Sequence, residues 1–138
     1  MEMSEVPIET ESQTRPSALS VTPNIVVVDD DAVMQNMLLE YLGQNGMRTS
    51  GVSSGADLAE QLKSEPSLVI LDLHLGQENG LDLLRLIRSQ SDVPVIIITG
   101  FSTEASAIEA VNLGVSGYLT KPFRVPRVLA AAAKALGE

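Results

Sequence analysis

The chain has 138 residues, no cysteine and a formal net charge of −9. The length suits one domain with a sizeable core, and the lack of cysteine excludes disulfides, thiolate metal sites and cysteine nucleophiles. The acidic charge disfavours a nucleic-acid binder, which needs a basic face for the phosphates. The chain begins with Met1 and shows neither a secretory signal nor an apolar stretch of membrane length. We therefore expect a cytoplasmic protein with no nucleic-acid or membrane partner.

Residues 1–23 have the composition of a tail. They hold four glutamates against a single arginine, together with three prolines, and they show no apolar periodicity. Such a segment cannot bury enough surface to offset the entropy lost on ordering. We predict a disordered, acidic, proline-containing tail over residues 1–23 and one folded domain over residues 24–138.

The apolar patterns after residue 23 switch between two periods. Continuous runs such as 25–28 and 68–71 are typical of strands buried on both faces. Apolar residues three and four apart between these runs predict helices with one buried side. In chain order we predict strands at 25–28, 47–52 (near a sheet edge), 68–71, 94–99 and 117–120. They alternate with a helix from 33 that ends at Asn45-Gly46, one from Ser53 or Ser54 to about Glu65, and others at 81–90, 104–113 and 125–136.

This alternation of strand and helix, repeated five times, indicates an α/β fold. Short loops and right-handed crossovers then give a doubly wound, five-stranded parallel sheet with helices on both faces. The apolar stripe of the first helix is predicted to comprise Val33, Met34, Met37, Leu38, Tyr41 and Leu42, and that of the fourth helix Ala105, Ile108 and Val111.

Polar side chains stand at the carboxyl ends of four of these strands: Asp29 and Asp30, Asp72, Thr99 and Lys121. A parallel sheet brings all of them to one edge, where ligands bind in open α/β sheets. Clustered carboxylates cannot all stay ionised unaided, whereas Mg²⁺ (or Mn²⁺) prefers oxygen ligands. We therefore predict a magnesium site that meets a phosphoryl group, with Lys121 and Thr99 contacting its oxygens. Asp72 is then the nucleophile, forming an aspartyl phosphate.

Five motifs in this order resemble those of response-regulator receiver domains, over about residues 24–138. They are Asp29-Asp30, Ile70-Leu71-Asp72, Gly80, Ile98-Thr99-Gly100 and Gly117-Tyr118-Leu119-Thr120-Lys121-Pro122-Phe123. The resemblance implies the flavodoxin-like (βα)₅ fold with strand order 2-1-3-4-5. That order places the first and third strands side by side, so that Asp30 and Asp72 meet.

The resemblance also implies a function, that of a bacterial two-component or phosphorelay switch and not of an enzyme with a separate substrate. Asp72 would accept a phosphoryl group from a histidine of a sensor kinase or phosphotransfer protein. Asp30 and Asp72 would bind magnesium directly, Asp29 through water, and His74 through its main-chain carbonyl. We expect no output domain after residue 138, and hence a single-domain regulator.

A conformational switch follows from the same resemblance. Thr99 would move toward the phosphoryl group and Tyr118 would turn inward, so that the face made by the fourth helix, fifth strand and fifth helix changes its preference for a downstream protein target. The Lys121-Pro122 bond is expected to be cis, as in relatives.

Three positions deserve comment because they vary within the family. Gly76 stands where the family often has proline, which predicts a more mobile loop. His74 and Phe101 occupy the positions that tune phosphoryl lifetime. Our hypothesis is that the Phe101 ring screens the phosphoryl group and slows hydrolysis, and that His74 is an exposed loop histidine.

Two rival functions remain at this stage. In a phosphohydrolase of the haloacid dehalogenase type, Asp29 would be the nucleophile and Asp31 the acid/base. That reading leaves Asp72 unexplained, and after Lys121 only Glu138 is left to complete a metal site. A pseudo-receiver would share the fold without being phosphorylated. Against the rival role, Asp31 can simply cap the following helix.

A homodimer is a further expectation. The alanine run 130–133 suits close packing of two copies, although alanine also favours helix by itself. Arg124 and Arg127 beside this run would then pair with acids on a partner.

Overall fold

A parallel sheet forms the centre of the computed structural model, which describes residues 22–137. The predicted tail therefore lies outside the described residues except for its last two positions. The strands are β1 (Asn24–Val28), β2 (Arg48–Val52), β3 (Leu68–Leu71), β4 (Val95–Thr99) and β5 (Gly117–Thr120). The helices are α1 (Ala32–Gln44), α2 (Gly55–Leu62), α3 (Gly80–Gln90), α4 (Glu104–Asn112) and α5 (Val125–Ala135).

The five strands pair in the order β2-β1-β3-β4-β5, and every pair is parallel. This confirms the predicted flavodoxin-like order, with the second strand at one edge. Helices follow each strand, so the crossovers place them on the two faces of the sheet. The sheet's carboxyl edge collects the residues that follow each strand.

Alternate strand residues supply two cores, one on each face, as the two-residue period of a strand requires. In β1, Ile25 and Val27 face one core and Val26 and Val28 face the other. One core is completed by α1 and α5, the other by α2, α3 and α4. The buried helix residues on the first face are Leu38, Leu42, Val128 and Ala132, and on the second Leu58, Leu83, Leu84, Ile87 and Ala110. Both faces of the sheet are thus covered, which explains the continuous apolar runs.

Helix ends agree with the predicted caps. The Asp31 carboxylate accepts hydrogen bonds from the main-chain N–H groups of Val33 and Met34 and so caps α1. Asn45 ends the same helix, and Gly46 follows with φ of +90°. Ser54 is the cap of α2.

Helix α2 ends at Leu62, not at about Glu65 as predicted. Glu65 has φ of +52°, the left-handed region, and Pro66 follows it. Because proline disfavours helical geometry in the residue before it, the chain leaves the helix early.

The apolar stripes of α1 and α4 are narrower than predicted. On α1, Val33 is 80% exposed and Met37 38% exposed, while Leu38 and Leu42 are buried. On α4, Ile108 and Val111 are more than half exposed, and Ala110 is the buried residue. A helix lying on a sheet covers only one side of itself, so apolar residues at the margins of a stripe face solvent. On α5, Ala132 belongs to the core, so this member of the alanine run is not available to a second copy.

Within residues 22–137 we find no helix that is both long and apolar enough to cross a membrane.

Candidate functional site

Three aspartates converge where β1 and β3 end. The pairing of Val28 with Leu71 places Asp29 and Asp72 at the same height on neighbouring strands. The Asp72 N–H donates to the Val28 carbonyl at 3.0 Å, which continues the hydrogen-bond ladder between the two strands as far as Asp72. Carboxylate oxygens of Asp29, Asp30 and Asp72 all lie within 4.8 Å of one another. This set of hard oxygen donors fits a divalent cation such as Mg²⁺.

Lys121 reaches the same cluster from the end of β5. Its N–H donates to the Thr99 carbonyl at 2.8 Å, which holds the residue beside β4. Its Nζ donates to Asp72 Oδ2 at 2.8 Å and to Asp29 Oδ2 at 3.2 Å. The Lys121-Pro122 peptide bond is cis, as predicted. Asp29 and Asp72 are almost fully buried, so this lysine is the cation that compensates them among the described residues.

Burial and pairing shift two groups in this cluster. Burial raises the pKa of Asp29 above its usual 3.8, and the nearby Asp72 charge adds to the rise, although the Asp31 N–H and Lys121 oppose it. Burial alone would lower the pKa of Lys121, but the hydrogen bond to Asp72 and the charge of Asp29 raise it above 10.5. The charged form of Lys121 is therefore favoured, whereas burial disfavours the charged form of Asp29.

The raised pKa of Asp29 predicts that the stability of the protein depends on pH when divalent cations are removed. The folded state holds the Asp29 proton more tightly than the unfolded state does. The contribution of this proton to the free energy of unfolding is therefore full below pH 3.8, and it is lost as pH rises through the higher pKa of the folded state. Asp29→Asn should therefore become progressively more stable relative to wild type as pH rises from 4 to 7. Urea unfolding in chelator at several pH values measures this difference.

The matched control for that series is Asp57→Asn, which removes an exposed carboxylate from α2. It should show no such trend. The expected effect of burying Asp29 would be contradicted if the free energies of unfolding of wild type and Asp29→Asn differed by the same amount at every pH.

Thr99 and Tyr118 lie nearby but do not bond to the aspartates. Thr99 is fully buried, and its Oγ1 accepts a hydrogen bond from the Phe101 N–H at 3.1 Å. The Tyr118 hydroxyl hydrogen-bonds Ser102 Oγ at 2.8 Å. Among the described residues no hydrogen bond joins either hydroxyl to the three aspartates. The structure thus brings Asp29, Asp30, Asp72 and Lys121 together, whereas the hydroxyls of Thr99 and Tyr118 have other hydrogen-bond partners.

Phe101 and His74 form the rim of the site. Their ring centroids are 4.2 Å apart with planes tilted by 37°. Phe101 is 67% exposed, and His74 is exposed as predicted. The His74 N–H donates to Asp72 Oδ1 at 2.9 Å. The ring pair is thus connected to the Asp72 carboxylate through the His74 main chain, and both of its residues are exposed to solvent.

A short antiparallel ladder between His74–Leu75 and Glu78–Asn79, which the sequence analysis missed, shapes the loop after Asp72. The loop turns at Gly76 with φ of +59°. Proline, whose φ is fixed near −65°, cannot adopt this conformation. Proline therefore could not replace Gly76 in this backbone.

Gln35 is a second residue that sequence reasoning missed. Its Nε2 donates to the carbonyls of Val52 at 2.8 Å, Val27 at 3.2 Å and Asp29 at 3.3 Å. The amide packs against Gly51, where a Cβ would come within 2.5 Å of it. Gln35 thus ties the end of β1, from which Asp29 projects, to β2. A lone polar residue on a helix carries no sequence signal for such a contact.

The model of the response regulator receiver domain family matches residues 25–133. Two curated proteins are similar to the same region. Regulatory protein VirG of Rhizobium rhizogenes is 35% identical over 83% of this chain and 48% of its own length. Transcriptional regulatory protein GltR of Pseudomonas aeruginosa is 42% identical over 82% of this chain and 48% of its own length. The chain thus spans about half the length of the curated relatives it matches.

A solved structure of a Burkholderia pseudomallei response regulator is similar in fold. It superposes with a TM-score of 0.72 and 32% identity, over 79% of this chain and 65% of that one. That protein carries a phosphorylated aspartic acid and was solved with a calcium ion and citrate.

Proposed function

This chain belongs to the response regulator receiver domain family, and on that premise we propose that Asp72 is a phosphoryl acceptor that switches the domain between two states. The observation that carries the proposal is the position of Asp72. Its carboxylate accepts a hydrogen bond from the Lys121 ammonium at 2.8 Å, and it offers an oxygen within 4.8 Å of oxygens of Asp29 and Asp30. The structure with a phosphorylated aspartic acid in a relative supports the same assignment.

In the proposed step an oxygen of the Asp72 carboxylate attacks phosphorus of a phosphohistidine. The bond from phosphorus to the imidazole nitrogen breaks, and that nitrogen keeps the electron pair. Lys121 is placed to pair with one phosphoryl oxygen, and the Thr99 hydroxyl with another once it leaves the Phe101 N–H. Magnesium held by Asp29, Asp30, Asp72 and the His74 carbonyl would neutralise charge on the phosphoryl oxygens.

We propose that the partners are proteins. The donor is a sensor histidine kinase or a histidine phosphotransfer protein, and the face of α4, β5 and α5 meets a downstream target. In the present structure Tyr118 is held at this face by Ser102, so its inward turn requires that this hydrogen bond break. The domain assists its own phosphorylation and acts on no separate substrate. The single-domain, homodimer and cytoplasmic expectations stay predictions.

The haloacid dehalogenase alternative needs Asp31 free for acid/base work. In the structure that carboxylate accepts two main-chain N–H groups as the cap of α1. Asp72, which that alternative left unexplained, is the residue that Lys121 and His74 both contact. We therefore keep the receiver function.

The proposal is tested by intact mass after incubation with acetyl phosphate and Mg²⁺. We expect one added phosphoryl group, lost in chelator and removed by hydroxylamine, which cleaves acyl phosphates. If no adduct forms, either the phosphoryl group is hydrolysed quickly or the domain is a pseudo-receiver. Beryllofluoride distinguishes these two explanations, because we expect only a domain of the first kind to bind it.

Phe101→Ala should shorten the lifetime of the phosphoryl group several-fold. The ring is exposed and contacts the ring of His74, whose main-chain N–H bonds to Asp72, so we expect its removal to open a path for attacking water. Phe101→Leu, which keeps apolar bulk, should lie closer to wild type. The measurement is the decay of the adduct after acetyl phosphate is removed, and equal decay in all three proteins would refute the screening hypothesis.

A further inference from the structure

The loop between β3 and α3 carries two groups of the proposed metal site. Asp72 opens the loop, and the His74 carbonyl lies two residues on. One side of the loop faces Asp30, since a Cβ at Gly76 would come within 3.5 Å of Asp30 Oδ2. The position of this loop therefore sets how its main-chain oxygen stands relative to the three carboxylates.

Glu78 fastens the far side of the loop to α2. Its Oε1 and Oε2 accept hydrogen bonds from the Gly55 N–H at 3.0 and 3.2 Å. Gly55 is the first residue of α2, where an unpaired N–H and the positive end of the helix both favour a carboxylate. A Cβ at Gly55 would approach Glu78 Oε2 to 2.8 Å. The missing side chain at Gly55 thus leaves room for the carboxylate.

The short antiparallel ladder connects Glu78 to His74. Glu78 pairs with Leu75, and Asn79 pairs with His74, across the antiparallel ladder. The Gly80 N–H donates to the Leu73 carbonyl at 2.9 Å and closes the base of the loop. A displacement of Glu78 would therefore move His74 with it.

We propose that Glu78 is a positioning residue for the metal site, which holds the His74 main chain in place through its contact with α2. This inference rests on the proposed function, in which the main-chain carbonyl of His74 is a magnesium ligand. Glu78 itself is exposed, so it adds little to the packing of either core. The left-handed conformation of Gly76 excludes a proline that would restrain the loop at this position. The contact between Glu78 and α2 restrains the loop instead.

The test is Mg²⁺ affinity by isothermal titration, without any phosphoryl donor. Glu78→Ala should weaken Mg²⁺ binding about tenfold, the lower end of what loss of a supporting residue costs a metal site. Glu78→Gln keeps an acceptor oxygen for the Gly55 N–H and should stay within about threefold of wild type. Glu40→Ala removes an equally exposed carboxylate from α1 and controls for net charge.

A second readout needs no metal. In chelator, amide hydrogen exchange over residues 74–79 and at Gly55 should be faster in Glu78→Ala than in wild type, with little change in urea stability. Equal Mg²⁺ affinity in wild type and Glu78→Ala would overturn the inference while leaving the proposed function intact. Equal losses in Glu78→Ala and Glu78→Gln would also overturn it, because charge alone would then be the cause. A wild type that binds no Mg²⁺ would instead remove the proposed function and the inference with it.

Discussion

Asp72→Asn should abolish phosphorylation completely. An amide oxygen is a far weaker nucleophile than a carboxylate, and no second carboxylate replaces Asp72 in its place at the end of β3. The substitution keeps the shape of the side chain, and its single oxygen can still accept from one of the two donors, the His74 N–H or Lys121 Nζ, which in wild type bond to Oδ1 and Oδ2. Intact mass after acetyl phosphate and Mg²⁺ should show only unmodified protein, where wild type gains one phosphoryl group.

The control for this result is Asp57→Asn, the exposed carboxylate on α2, which should be phosphorylated like wild type. Circular dichroism should show that Asp72→Asn remains folded. A phosphoryl adduct on Asp72→Asn of the same extent as on wild type would mean that the acceptor lies elsewhere, with Asp29 and Asp30 the first residues to examine.

Lys121→Ala should slow phosphorylation about 10²-fold, the usual cost of removing one group that stabilises charge in the transition state. The variant should also unfold more readily in chelator, by on the order of 2 kcal/mol, because Asp29 and Asp72 are buried and lose their cation. Added Mg²⁺ should recover part of that stability, since a divalent cation can take over the neutralisation. Single-turnover phosphorylation and urea unfolding measure the two effects.

Lys134→Ala, which removes an exposed lysine from α5, should leave both quantities unchanged. The stability effect of Lys121→Ala is opposite in sign to that of Asp29→Asn, because one removes the cation and the other removes a buried anion. If both variants destabilise the metal-stripped protein equally at neutral pH, the charge balance described for this cluster is wrong.

The positions of Asp29, Asp72, Thr99 and Lys121 were predictable because a parallel sheet leaves little freedom at strand ends. Buried strands such as 68–71 are recognisable in the sequence as continuous apolar runs, and the residue after such a run lies at the carboxyl edge of the sheet. The strand order itself came from the family resemblance, since apolar runs do not state which strand pairs with which.

Contacts between distant segments were not predictable. The amide of Gln35 on three carbonyls and the carboxylate of Glu78 on Gly55 join residues with no shared periodicity. Exposure was also misjudged for Val33 and Ile108, because a helical stripe shows which residues share a side but not how far the neighbouring layer reaches. Both failures concern the fit between elements, which a single sequence encodes only indirectly.

The interior position of β1, between two later strands, has a consequence during synthesis. Among the described residues β1 is the first strand in the chain, and it lies between β2 and β3. The site joins Asp29 and Lys121, which are 92 positions apart. A ribosome-bound chain that has emerged only as far as β4 therefore carries Asp72 without Lys121. If Asp72 accepts a phosphoryl group as proposed, we expect an unfinished chain to be phosphorylated poorly, because its site is complete only when β5 docks.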